Sequence, residues 1–162
     1  MANIQDGDTV GVIGIGLIGL ITIQVLSARN CKVIALDIDP NKLKLAQTLV
    51  PNIITSACYH DFQNCINSNT DGKGVDSVII TASTDSNEPI EASATAAKLR
   101  GTVVSTGLTV LNIPRQLFYE KELRFAVSKA CGDDSNNQSE AVQNRKHPSA
   151  FQNITEFLEF IS

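Results

Sequence analysis

An α/β fold with a doubly wound parallel sheet is expected for this chain. Six short apolar runs alternate with segments of helical pattern between Thr9 and Ser128. Strands that alternate with helices pack into a parallel sheet covered on both faces, and so read as continuous apolar runs. The first run ends in Gly14-Ile-Gly16-Leu-Ile-Gly19, a G-x-G-x-x-G frame at a strand-to-helix turn. The second, Val33–Leu36, closes on Asp37, 18 positions after the third glycine. Strand, glycine frame, helix and acid at this spacing form the dinucleotide-binding fingerprint. Six strands with that turn after the first give a Rossmann-type sheet of order 3-2-1-4-5-6.

The elements follow in order. Thr9–Ile13 is a buried strand and Leu17–Ser27 the helix after it. Lys32–Leu36 is the second strand. Asp39 caps the next helix and Pro40 takes its first turn, where a missing N–H costs nothing. That helix reaches Leu49, with Leu43, Ala46 and Leu49 on one face. Ile53–Thr55 is a short third strand, and His60–Asn67 a helix with Phe62 and Ile66 inward at i, i+4 spacing. Asp71-Gly-Lys-Gly74 is a turn and Ser77–Thr81 the fourth strand. Pro89–Leu99 is an alanine-rich helix, opened near Ser86 or Asn87 and ended by Arg100-Gly101. Thr102–Ser105 and Leu123–Ser128 are the fifth and sixth strands. Residues 1–131 thus form the dinucleotide-binding domain, and 132–150 a polar loop without apolar period. Within 151–162, Ile154, Phe157, Leu158 and Ile161 mark a closing helix packed on the same domain.

Bulk composition narrows the function. The chain has 162 residues, 43% hydrophobic and 19% charged, which fits one domain with a real core. Its net charge of −4, with Arg145-Lys146-His147 as the longest basic cluster, is poor footing for nucleic acid. Cysteines at 31, 58, 65 and 131 have no zinc-ligand spacing, and only two histidines could assist, so no metal site is expected. Cys31 and Cys131 read as buried free thiols rather than part of a disulfide framework. Thr9–Ala28 is uncharged and long enough to span a bilayer, but four glycines and the acidic flank Asp6, Asp8 argue against a membrane helix. Met1–Asp8 lacks the basic start of a signal peptide, so a soluble, cytoplasmic protein is expected.

The glycines have separate tasks. Gly14 permits a tight turn, Gly16 lets backbone approach a pyrophosphate, and Gly19 lets the helix pack close to the sheet. Leu17 and Ile18 open that helix, whose free N–H groups and positive dipole end suit phosphates. Asp37, followed by Ile38, would accept hydrogen bonds from the adenosine ribose hydroxyls. A 2′-phosphate would meet that carboxylate as a like charge, and no arginine follows at once, so NAD is expected rather than NADP. Lys42, the nearby cation, either touches the ribose or adenine edge or is solvated. Ligands in such sheets lie beyond the strands' carboxyl ends, where loops begin at Gly14, Asp37, Thr81 and Thr106. Ser83, Thr84 and Thr106 sit there, beside Gly107 and Leu108, able to bond the nicotinamide ribose or carboxamide or to cap helices. No catalytic residue emerges. Tyr119 and Lys121 are two apart where a short-chain reductase needs Tyr-x-x-x-Lys, and His60 and His147 lie away from strand ends.

Gly7-Asp-Thr-Val10, the Gly14–Gly19 loop and Asp37-Ile-Asp-Pro-Asn-Lys-Leu43 resemble the cofactor domain of the medium-chain dehydrogenase/reductase family. Gly74-Val-Asp-Ser-Val-Ile79 and Arg100-Gly-Thr-Val-Val-Ser-Thr-Gly107 do so too. Ser86-Asn-Glu-Pro-Ile90 with Ile113-Pro-Arg-Gln-Leu-Phe-Tyr-Glu-Lys-Glu-Leu123 is similar to its bi-domain oxidoreductases, and Gln152–Leu158 loosely continues the likeness. The resemblance implies NAD-linked alcohol or sugar oxidoreduction, usually at a catalytic zinc, with a catalytic domain flanking the cofactor domain in sequence. Eight residues precede the first strand here, and that family's zinc ligands and four-cysteine lobe have no counterpart. The expectation is therefore the NAD-binding domain of a zinc-type enzyme, either cut from a longer chain or a truncated gene product, and inactive without its catalytic domain. The resemblance also implies self-association through the sixth strand, unless the Ile154–Ile161 helix covers it, and proline at Ala126 would remove a ladder donor if that N–H faces the partner. Val50-Pro51-Asn52 replaces the family's glycine after the second helix, and Ala130–Asp134 its aromatic-glycine segment. A regulatory nucleotide sensor, as in potassium-channel ligand domains, is the alternative, although that class lacks the Arg100–Gly107 and Ile113–Leu123 runs. A methyltransferase would have a looser glycine loop.

Overall fold

The computed structural model describes residues 2–128. The expected polar loop 132–150, the closing helix Ile154–Ile161, Cys131 and His147 lie outside the described residues.

The described chain alternates strand and helix. β1 (Thr9–Ile13), α1 (Leu17–Ala28), β2 (Lys32–Leu36), α2 (Pro40–Leu49) and β3 (Ile54–Ser56) form the first half. α3 (Tyr59–Asn69) crosses to β4 (Val75–Ile80), followed by α4 (Glu88–Ala96), β5 (Ala97–Ser105), α5 (Arg115–Glu120) and β6 (Arg124–Val127). The sheet runs β3-β2-β1-β4-β5-β6 with every neighbouring pair parallel, the expected Rossmann-type order. Successive side chains of a strand point to opposite faces, which divides the core in two. Val10, Val12, Val33 and Ala35 pack with Ile23 and Leu26 of α1 and Leu43 and Ala46 of α2. Ile13, Ile34, Leu36 and Val78 pack on the other face with Phe62 and Ile66 of α3 and Ile90 of α4. Gly11 makes room for this second layer, since a Cβ there would lie 3.2 Å from the Phe62 ring.

Several boundaries differ from expectation, each for a tertiary reason. Leu49 is 44% exposed and Val50 is buried instead. The Val50 N–H donates to Ala46 O (2.8 Å), so the chain turns inward without a left-handed cap glycine. β3 starts one residue late, at Ile54, in register with Ile34. α3 starts at Tyr59 and runs two residues past Asn67, with Cys58 Sγ accepting from the Asp61 N–H as its cap. α4 stops at Ala96 rather than Leu99. The Lys121 ammonium takes the carbonyls of Ala94, Thr95 and Ala97 (3.0, 2.7 and 2.9 Å) and closes the helix there. Ala97 pairs with Val75, which also starts β4 two residues early, and Lys98 forms an ion pair with Asp76. Arg100 (φ 61°) and Gly101 therefore sit in an irregularity of β5 instead of ending a helix. α5 was not expected. It follows Pro114 and places Phe118 edge-on against Phe125, ring centres 6.1 Å apart.

Two stability tests follow. Phe62→Ala removes the largest fully buried side chain among the described residues and should cost about 3–5 kcal/mol in urea unfolding. For Asp76, partial burial disfavours the charge, but hydrogen bonds from Lys98 and the Thr9 N–H outweigh it and hold the carboxyl below its ordinary pKa. Its stabilising contribution is therefore present above the ordinary carboxylate range and is lost as pH falls through the depressed folded value. Thermal melts from pH 7 to 3 should show a shallower acid decline for Asp76→Asn than for the wild type.

Candidate functional site

The carboxyl ends of β1, β2 and β4 open into a cleft of about 480 Å³. It lies where the sheet order reverses between β1 and β4, the place for ligands in this topology. Gly14, Gly16, Asp37, Ile38, Lys42, Thr81 and Ser83 line it.

The glycine turn is built by close backbone approach. Gly14 has φ +96°, and a Cβ there would lie 2.5 Å from the Ala82 N. A Cβ on Gly19 would come within 2.1 Å of Gly14 O, so α1 starts against the end of β1 only because residue 19 has no side chain. Gly16 is different. It is exposed, and nothing lies within 4 Å of its built Cβ, which leaves the turn open on the cleft side. Gly16 is also the N-cap of α1 without a side-chain cap, so first-turn N–H groups face no capping oxygen. The Leu17 and Ile18 side chains are exposed and do not line the cleft, so their backbone is what the site can use.

Asp37 is 7% exposed. Its Oδ2 accepts from the Ile15 N–H at 2.6 Å and lies 3.5 Å from Lys42 Nζ, while Oδ1 accepts from the Asp39 N–H at 2.9 Å. A carboxylate offers about four acceptor positions, so capacity remains toward the cleft. Thr81 Oγ1 donates to Gly14 O at 2.5 Å. Ser83 Oγ accepts from the Leu108 N–H (3.4 Å), and Leu108 O accepts from the Thr84 N–H (2.9 Å). The Thr106 and Gly107 N–H groups both donate to Ile80 O, and a Cβ on Gly107 would lie 1.9 Å from Ala82 O. Thr106, Gly107 and Leu108 thus hold the loop after β4 and stand beside the cleft, not among its lining residues.

Sequence reasoning missed Tyr59, Ser86 and Glu88, which also line the cleft. Tyr59 opens α3 just beyond β3. The strand-end rule applied to β3 would have found it, had the helix not been started at His60. Burial first, then the charges of Glu88 and Asp37, push its phenol above the ordinary pKa. His60 is exposed among Asp61 and Asn64, and borders a separate groove of about 320 Å³ between α3 and α4. Tyr119 is exposed, and Lys121 is committed to α4 carbonyls. Among the described residues no three His, Cys, Asp or Glu gather to hold a metal ion. Among them, too, no helix is long and apolar enough to cross a membrane.

Comparison with known proteins agrees with this architecture. The family model described as zinc-binding dehydrogenase matches residues 18–144. An alcohol dehydrogenase from Thermus sp. ATN1 is similar in structure, with TM-score 0.67 and 22% identity over 79% of this chain and 37% of that one. The alcohol dehydrogenase of the hyperthermophilic archaeon Aeropyrum pernix gives 0.68 and 24% over 78% and 37%. A structure described as an NAD-dependent alcohol dehydrogenase gives 0.71 and 18% over 99% and 42%. At such identities the likeness is one of fold, and the chain spans about two fifths of these proteins' length. The zinc in the family's description finds no ligand set among the described residues. With the family model covering most of its length and the reversed sheet order and glycine turn in place, the chain belongs to the zinc-binding dehydrogenases, as their dinucleotide-fold portion.

Proposed function

We infer that this chain is the NAD(H)-binding domain of an alcohol or sugar dehydrogenase-like oxidoreductase. The observation that carries this reading is Asp37. Its carboxylate closes β2, is nearly buried, and borders the cleft directly beside the open Gly16 turn. A ribose with two free hydroxyls can donate to the acceptor capacity that Asp37 keeps beside its two N–H donors, whereas a 2′-phosphate would add like charge with only Lys42 to offset it. The Gly16 turn and the first-turn N–H groups of Leu17, Ile18 and Gly19 would take the pyrophosphate. Ser83 and the Thr106–Leu108 loop would border the nicotinamide end. Bound nicotinamide supplies a two-electron hydride acceptor or donor. What this chain does is bind and orient that cofactor, while substrate contacts and any zinc come from the rest of the parent enzyme.

A second copy is the other proposed partner. β6 is one of the two edges of the sheet among the described strands, β3 being the other. The Ser128 N–H donates to Ser105 O, and backbone groups alternate sides along a strand. Ala126 therefore turns its N–H toward β5, contrary to its expected use against a partner, and the outward donors are Phe125 and Val127. A two-fold contact would set two β6 strands antiparallel.

Three outcomes are expected. Calorimetric titration should show NADP(H) binding at least about tenfold more weakly than NAD(H), with Asp37→Ala narrowing the gap. Equal wild-type affinities would remove the ribose assignment. The 162-residue chain should oxidise no simple alcohol or sugar and retain no zinc after chelator desalting, and stoichiometric zinc by elemental analysis would contradict this. Light scattering at micromolar concentration should give a dimer that Val127→Pro weakens, and a wild-type monomer would refute the edge contact.

A further inference from the structure

One peptide unit of the glycine turn is gripped at both ends. The Gly14 carbonyl accepts from Thr81 Oγ1 at 2.5 Å, and the N–H of the same peptide, on Ile15, donates to Asp37 Oδ2 at 2.6 Å. The alternative acceptor for the hydroxyl, Ile13 O at 3.4 Å, already takes the N–H groups of Thr81 (2.9 Å) and Ala82 (3.1 Å). A carbonyl has two lone pairs, so the single hydroxyl proton belongs to Gly14 O.

Resting on the dinucleotide reading above, we propose that Thr81 is a positioning residue for the cofactor, fixing the orientation of the Gly14–Ile15 peptide. The glycine that permits the turn also leaves it under-determined. Gly14, at φ +96°, has no Cβ to oppose rotation of the peptide that follows it. A flipped peptide would aim its carbonyl oxygen at the Asp37 carboxylate and its N–H at Thr81. The two grips therefore select the same orientation, one by a neutral hydrogen bond and one by a charge-assisted one. That orientation sets where Gly16 and the first turn of α1 stand. Gly14 O is also the atom against which Gly19 packs, and Thr81 Oγ1 itself would lie 3.0 Å from a Cβ on Gly19. Thr81 thus meets the turn at both its first and third glycines. Its proton is committed inward, so toward a ligand the hydroxyl can only accept.

This role differs from a ribose contact in what it predicts. Loss of the hydroxyl should weaken NAD, NADP and ADP-ribose by one common factor and leave the NAD-to-NADP ratio unchanged, whereas Asp37→Ala shifts the ratio. The test is calorimetry with these three ligands on wild type, Thr81→Val and Thr81→Ser, with amide hydrogen exchange of Ile15 read by NMR on each. Thr81→Val should weaken all three about tenfold, the order one hydrogen bond is worth, and speed Ile15 exchange by a similar factor while Val12 is unmoved. Thr81→Ser should restore both. Unchanged Ile15 exchange in folded Thr81→Val overturns the proposal, as does a changed NAD-to-NADP ratio. If the wild type binds none of the ligands, the dinucleotide reading falls while Ile15 exchange still decides the clamp. If Thr81→Val does not fold, an Ile15 amide as unprotected in the wild type as a loop amide overturns it alone.

Discussion

The carboxyl edge of this sheet depends on backbone approaching backbone closer than any side chain allows. Gly19 sits on Gly14 O, Gly14 on the Ala82 backbone, and Gly107 on Ala82 O. Three loops that neighbour one another in the sheet, after β1, β4 and β5, are thereby stacked main chain to main chain. Ala82 is their shared floor. Because these contacts are made by peptide groups, their hydrogen bonds are fixed as well: Gly14 N–H to Leu36 O, Thr81 and Ala82 N–H to Ile13 O, Thr106 and Gly107 N–H to Ile80 O. Side chains enter only as braces, and the cleft keeps the shape that the main chain gives it.

Electrostatics then divide the cleft into two kinds of ground. Asp37 and Glu88 line it with Tyr59, and Lys42 is the cation among those lining residues. An anionic ligand group finds little attraction from side chains there. Its support has to come from peptide N–H groups and the start of α1, which fits the open, uncapped Gly16. The carboxylates instead favour hydroxyl or amino donors. A ligand anionic in its middle and rich in donors at one end matches that division.

The features legible from sequence were those encoded locally. The Gly14–Gly19 frame, Asp37, the Asp39-Pro40 cap and the inward pair Phe62 and Ile66 each depend on spacing within one element or between neighbouring ones, and each stands where spacing put it. What was missed depends on partners far along the chain. Ala97 to Arg100 has helical composition, yet Lys121 closes α4 from 24 residues away and Val75 draws Ala97 into the sheet. Leu49 lost its inward place to Val50 because the turn after α2 tightens on Ala46. Tyr59 was hidden by a helix start misplaced by one residue. Thr81 was legible only as a strand end beside the ligand, since the three-dimensional turn alone shows its proton going to Gly14 O.

The strand order carries a consequence for the order of synthesis. β1 is central, with β2 on one side and β4 on the other, and its β4 partners lie 67 residues further along, as Val10 does from Ser77. A ribosome therefore delivers β1, β2 and β3 well before the strand that covers the open flank of β1. Until β4 emerges, the nascent half-sheet exposes the Thr9–Ile13 ladder on that side, a template for adventitious pairing. Thr81 and Ala82 arrive with the end of β4, so the glycine turn gains its floor and its brace in the same stretch of translation that shields β1. Protection from misassembly and a finished glycine turn are acquired together, late, and from the same eight residues, Val75–Ala82.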